Sequence, residues 1–274
     1  METGRSKMVL GAAVLLAALS LDPLPAAPAV AVDLIPHRAF YALSLKSTIP
    51  GSSLTDARGA MFLEWSDSCE GYSSSQRLQL RFFDASLPTV EVDSRFASWE
   101  SRDGLSYRFN VISLRNGVAE REVTGQASLD GPGKGGKAEI SGPKPVTIDL
   151  APGTIFPVRH LQDLIARAEA GEKIVSRTVF DGTEEEGAFD INAVIGPRRQ
   201  PDPKERTLPP SVDGPYWPAR LAFFHAKGDT MLPFYEMSVH LMANGIAREF
   251  ELDYGDSVIR ADLERIEILR KPRC

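Results

Sequence analysis

Turn-forming dipeptides set between alternating runs of side chains restrict the fold of this chain more than any other feature. Asp103-Gly104 parts residues 95–102 from 105–114, Asn116-Gly117 leads on to 118–127, and Asn244-Gly245 joins 235–242 to 246–252. Each dipeptide tolerates the positive φ angles that a two-residue hairpin turn imposes. The flanking runs alternate as strands with one buried face must. Tyr107, Phe109 and Val111 point one way and Arg108 and Asn110 the other, and Phe250 and Leu252 alternate with Glu249, Glu251 and Asp253. Similar short segments between Gly, Asn and Asp recur along the chain. In the stretch 258–269, Leu263, Ile266 and Ile268 suit a helix, but the alternation of Ile259-Arg260-Ala261-Asp262-Leu263 favours a strand. A mostly β chain of antiparallel neighbours is expected.

One segment breaks the pattern. Thr154-Ile155-Phe156-Pro157 opens like a helix start, residues 158–170 place Leu161, Leu164, Ile165 and Ala168 on one face, and Gly171 supplies the stop. A lone amphipathic helix in such a chain buries its apolar stripe against an open sheet. Leu161, Leu164 and Ile165 are therefore expected to plug the sheet, with a movable ligand-gating lid as the alternative. The glycine-rich stretch 129–144 and the proline-rich stretch 196–214 read as loops or hairpin tips.

The first 31 residues read as an export signal. Arg5 and Lys7 give a positive start, the run from 8 to 21 is apolar but for one Ser, and Ala29-Val30-Ala31 offers a cleavage site before Val32. That run is about 14 residues, short of the roughly 20 that span a bilayer. Residues 32–274 are then expected to form one β domain that does not span the membrane. No cysteine lies near the cleavage site to carry a lipid. The segment removed holds two charges of each sign (Glu2, Asp22, Arg5, Lys7), so the chain keeps its net charge of −6. An acidic chain without a basic stripe argues against nucleic acid as a partner.

The only cysteines are Cys69, in Trp65-Ser66-Asp67-Ser68-Cys69-Glu70-Gly71, and Cys274, the last residue. In an oxidising compartment an even pair is expected to be bonded. Such a link would fasten an end that otherwise frays and would make one body of everything between. Two free thiols, or a bond between two chains through Cys274, are the alternatives.

Catalytic chemistry finds little support. His37, His160, His225 and His240 lack the spacing of a zinc site, no glycine-flanked serine elbow is present, and a bonded cysteine is no nucleophile. The histidines are expected on the surface or in packing, with no metal and no cofactor. Glu184-Glu185-Glu186 reads as a solvated loop, and Asp253-Tyr254-Gly255-Asp256 as a β-turn whose carboxylates shape it. Tyr216 and Trp217, in Pro215-Tyr216-Trp217-Pro218, with Phe223 and Phe224 form the candidate interaction surface; a core position at the mouth of the sheet fits them equally.

Taken in order, Leu34-Ile35-Pro36-His37-Arg38-Ala39, Arg58-Gly59 leading to Glu64-Trp65, Cys69-Glu70-Gly71-Tyr72, the segment 154–171, Pro215-Tyr216-Trp217-Pro218 and the segment 235–256 resemble the cell envelope integrity protein EipB family. This is a periplasmic group of alphaproteobacteria long treated as a domain of unknown function. The resemblance covers essentially all of 32–274, with no single decisive motif. It implies an unclosed, spiral or barrel-like antiparallel sheet around a helix, and a disulfide from an early strand to the C-terminus, where Cys69 and Cys274 match. It further implies support of the Gram-negative envelope under stress, without catalysis. The expected function is a non-enzymatic periplasmic protein that binds a protein or envelope component. A carrier of a lipid-like ligand in a barrel-like cavity is the alternative, and a cell-wall hydrolase using Asp253 or Asp256 is third.

Overall fold

The computed structural model describes residues 32–141, 145–183, 187–202, 212–226 and 232–274. The expected export signal (1–31), Glu184-Glu185-Glu186 and part of the 196–214 stretch fall outside these residues. Residues 31–274 form one compact unit.

The alternating segments become a long meander. β1 (His37–Thr48), β2 (Leu54–Asp67), β3 (Gly71–Asp84), β4 (Val90–Ser101), β5 (Ser106–Arg115), β6 (Val118–Leu129), β7 (Gly136–Ser141) and β8 (Val146–Leu150) pair antiparallel in succession, each with the next. The helix α1 (Pro157–Glu169) follows. A second meander then runs through β9 (Ile174–Val179), β10 (Phe189–Ile195), β11 (Tyr216–His225), β12 (Tyr235–Met242), β13 (Ala247–Asp253) and β14 (Ser257–Ile268), and β14 returns to pair with β1. The 14-stranded sheet has the order β8-β7-β6-β5-β4-β3-β2-β1-β14-β13-β12-β11-β10-β9. Its ends, β8 and β9, are not paired with each other, so the sheet is unclosed, as expected. The segment that joins them carries the single helix of the described residues. It touches the β9 edge where the Ile155 amide donates to the Thr178 carbonyl at 3.0 Å.

The turn dipeptides act as the sequence implies, but only one makes the tight two-residue form. Asn116 and Gly117 both take positive φ, at 51° and 78°. At Asp103-Gly104 and Asn244-Gly245 only the glycine does, and each strand pair is joined by a longer loop. The stretch 258–269 is strand β14. One reading needs correction: residues 129–144 are not all loop, because β7 lies within them. Glycine there serves close approach rather than bending. A Cβ on Gly136 would collide with the Ser128 carbonyl of the neighbouring strand.

The helix starts and stops by different means. Phe156 occupies the N-cap position without a side-chain oxygen, and Pro157 follows it. At the other end Gly171 takes φ 79°, its amide donating to Ala168 O at 3.1 Å and the Glu172 amide to Arg167 O at 3.0 Å, which closes a Schellman motif. The buried face of α1 carries Val158, His160, Leu164, Ile165 and Ala168.

Apolar side chains gather in three clusters. The first joins α1 to the inner face of β9–β13; the second lies among β1–β3 and β12–β14; the third packs Tyr107, Phe109, Phe156 and Phe180 at the β5–β8 end. The Sγ atoms of Cys69, in the β2–β3 turn, and Cys274 lie 2.09 Å apart, a disulfide pair whose Cα atoms are separated by 5.6 Å.

Candidate functional site

The inner face of the sheet and the helix do not meet everywhere. Between them lies a cavity of about 330 Å³, within the range of small-molecule sites. The strand registers build one wall row by row. His37 on β1 stands opposite Trp65 on β2, Trp65 opposite Ser74 on β3, and Ser74 opposite Ser98 on β4. The next row runs Leu63, Gln76, Phe96. Across the cavity, Leu221 pairs with Met237, Val239 with Phe250, and Leu241 with Ala247. Val158, His160, Leu161 and Leu164 of α1 close a third side, and Leu34 and Gly245 border the space from their loops.

Of the three side chains expected to plug the sheet, Leu164 and Ile165 are buried in the first cluster and Leu161 packs against it, and Leu161 and Leu164 also form cavity wall. Apolar atoms dominate the lining, and among the described lining residues none is charged.

Three buried polar atoms of residues in this wall have no hydrogen-bond partner among the described residues: His37 Nε2, Trp65 Nε1 and His160 Nε2. Their residues are 3%, 7% and 8% exposed. Burial depresses both histidines, His160 to about 4, with Asp163 opposing the fall and Arg177 adding to it; both rings are therefore neutral at pH 7. A hydrogen bond of 2.7 Å between His37 Nδ1 and the Ile35 carbonyl further orders the ring.

The helix is held over the cavity by a residue the sequence did not single out. Glu100 of β4, 2% exposed, accepts the amides of Val158 at 2.7 Å and Arg159 at 2.9 Å, and so caps α1 from another element. Desolvation pushes its carboxyl up to about 7 against those two bonds. The available signal was parity, since Glu100 shares the inward face of Phe96 and Ser98. The same counting places His37 with Ala39 and Tyr41.

The proposed contact aromatics lie elsewhere. Tyr216 and Trp217 are each 5% exposed and belong to the core, which removes them from any outward patch; Phe223 and Phe224 are half-buried. Tyr216 stacks on His240 with centroids 4.4 Å apart, and Arg198 lies 4.8 Å over Trp217. Asp253 accepts the Gly255 amide at 2.9 Å and Asp256 the Ser257 hydroxyl at 2.9 Å, so both carboxylates serve the β13–β14 turn. Around Cys69, Arg102 donates to the Cys69 carbonyl at 3.1 Å and to the Tyr72 hydroxyl at 3.0 Å, and Tyr72 stacks on Trp65 at 5.2 Å. The disulfide turn is thereby continuous with the cavity wall.

An unclosed antiparallel sheet with a helix against its inner face and an apolar cavity between them defines a β-barrel-like fold. The EipB-like family model matches residues 28–270, and the chain belongs to that family. It is 33% identical over 249 residues to the cell envelope integrity protein EipB of Brucella abortus (strain 2308), covering 89% of this chain and 87% of that one. A crystal structure of a β-barrel-like protein of the domain of unknown function DUF1849, also from Brucella abortus, superposes with a TM-score of 0.81 at 32% identity, over 88% of this chain and all of the other. Among the described residues no helix is long and apolar enough to cross a membrane.

Proposed function

We propose that this chain is exported to the periplasm by cleavage after Ala31, folds as one domain, and supports envelope integrity without catalysis, by holding an apolar ligand in the cavity beneath α1. The observation that carries this reading is the uncharged, largely aliphatic lining of a space of about 330 Å³ between Leu161 and Leu164 on the helix and Leu63, Phe96, Met237 and Phe250 on the sheet. Apolar surface lining such a space gains by covering it with an apolar molecule instead of water. The family membership supports the envelope role, and the oxidising periplasm suits the Cys69–Cys274 pair. A protein-docking role finds less support, because Tyr216 and Trp217 are buried.

Filling the cavity tests the reading. Ser74→Leu places apolar bulk in the wall beside Trp65 and Ser98. A strain carrying only this variant is expected to lose envelope integrity to the extent that a deletion strain does, while the purified variant melts no lower than the wild type. Full resistance with the cavity filled would overturn the proposal.

A further inference from the structure

His37 and Trp65 are direct cross-strand neighbours on the inner face, a relation that sets Cβ atoms about 4.5–5.5 Å apart. Their polar edges ask for opposite partners. An indole Nε1–H only donates, so Trp65 needs an acceptor. The Ile35 carbonyl only accepts, so His37 Nδ1 carries the ring proton toward it, and Nε2 of the neutral ring is left as a lone pair that needs a donor. Neither atom finds its partner among the described residues. Buried polar atoms are otherwise nearly always paired, and here two buried, unpaired ones of complementary kind belong to residues that share one wall of an apolar cavity, with His160 Nε2 as a third on the helix side.

The absence of charge completes the picture. With no Lys, Arg, Asp or Glu among the described lining residues, an ionised head group would lose its water without gaining a counter-ion. Resting on the apolar-ligand reading above, we infer that the ligand is a neutral amphiphile. Its apolar body lies along α1, and its single polar group both accepts from Trp65 and donates to His37, as a hydroxyl does. A carboxylate, a phosphate or a quaternary amine does not match this pair of atoms.

The test uses the purified exported protein with its disulfide intact and three probes of one chain length, titrated by calorimetry at pH 8. These are 1-decanol, which donates and accepts; decyl methyl ether, which only accepts; and decanoate, which is charged. The alcohol is expected to bind about tenfold more tightly than either of the others, the size of one well-made buried hydrogen bond. Trp65→Phe, which removes the donor and keeps the ring's bulk, is expected to weaken the alcohol by about the same factor. Decanoate binding as tightly as decanol, or an ether equal to the alcohol, would overturn the inference while leaving the apolar-ligand reading in place. Binding of none of the three would overturn that reading itself. The probe series on the unmodified protein decides the matter even if Trp65→Phe fails to fold.

Discussion

The Glu100 carboxylate on β4 accepts the amide of Val158 in the first turn of α1 at 2.7 Å, across 58 residues of sequence. A helix whose N-cap residue, Phe156, has no capping side chain is thus tied to the sheet by a buried acid, and the geometry of the cavity depends on that tie.

Glu100 therefore makes stability fall as pH rises. Its folded pKa, about 7, exceeds the ordinary value of 4.5, so the folded state holds the proton more firmly between those limits and this contribution is lost as pH climbs through them. Glu100→Gln abolishes the slope. Denaturant unfolding at pH 4.5 and pH 7 is expected to show the variant gaining ~3 kcal/mol on the wild type over that interval, after a pH-independent loss of ~1 kcal/mol for one acceptor. A constant difference at both pH values would contradict the buried-acid description.

His160 acts in the opposite sense. Its folded pKa, about 4, lies below the ordinary 6.5, so the unfolded chain takes up the proton first and stability is lost as pH falls from 6.5 toward 4. The contribution is ~3 kcal/mol, nearly offsetting Glu100 where the windows overlap. His160→Gln is expected to flatten the acid limb of a melting-temperature profile. An unchanged profile would place the ring in solvent.

The Cys69–Cys274 pair encloses 205 residues of sequence separation. Closing so long a loop stabilises the fold by at most ~5 kcal/mol, mainly through the unfolded chain. Cys69→Ser or Cys274→Ser is expected to lower Tm by up to ~15 °C under oxidising conditions. The variants should also be indifferent to added reductant, whereas the wild type loses stability in it. Equal melting of wild type and variant would show that the C-terminus is held by other contacts, such as Leu269 N to Pro36 O at 2.8 Å.

The strands were legible because their alternation is local. Tyr235–Met242 can be counted off the sequence, and Asn116-Gly117 names its own turn. β7 was hidden because Gly135 and Gly136 suggest a loop, whereas they let two backbones approach. The site was less legible for a different reason. His37, Trp65 and Glu100 each follow ordinary strand parity, and what distinguishes them is a partner absent or supplied from far along the chain. Tyr216 and Trp217 left surface and core equally open for the same reason, since an aromatic pair beside prolines has one appearance in sequence whether it is buried or exposed.

The most direct test of a ligand-holding cavity is native mass spectrometry of the protein isolated from its own host. A cavity occupied in the cell predicts a second charge series heavier by one small, uncharged, lipid-like molecule, reduced or lost in Ser74→Leu. A single series at the mass of the bare polypeptide, identical in wild type and variant, would contradict it.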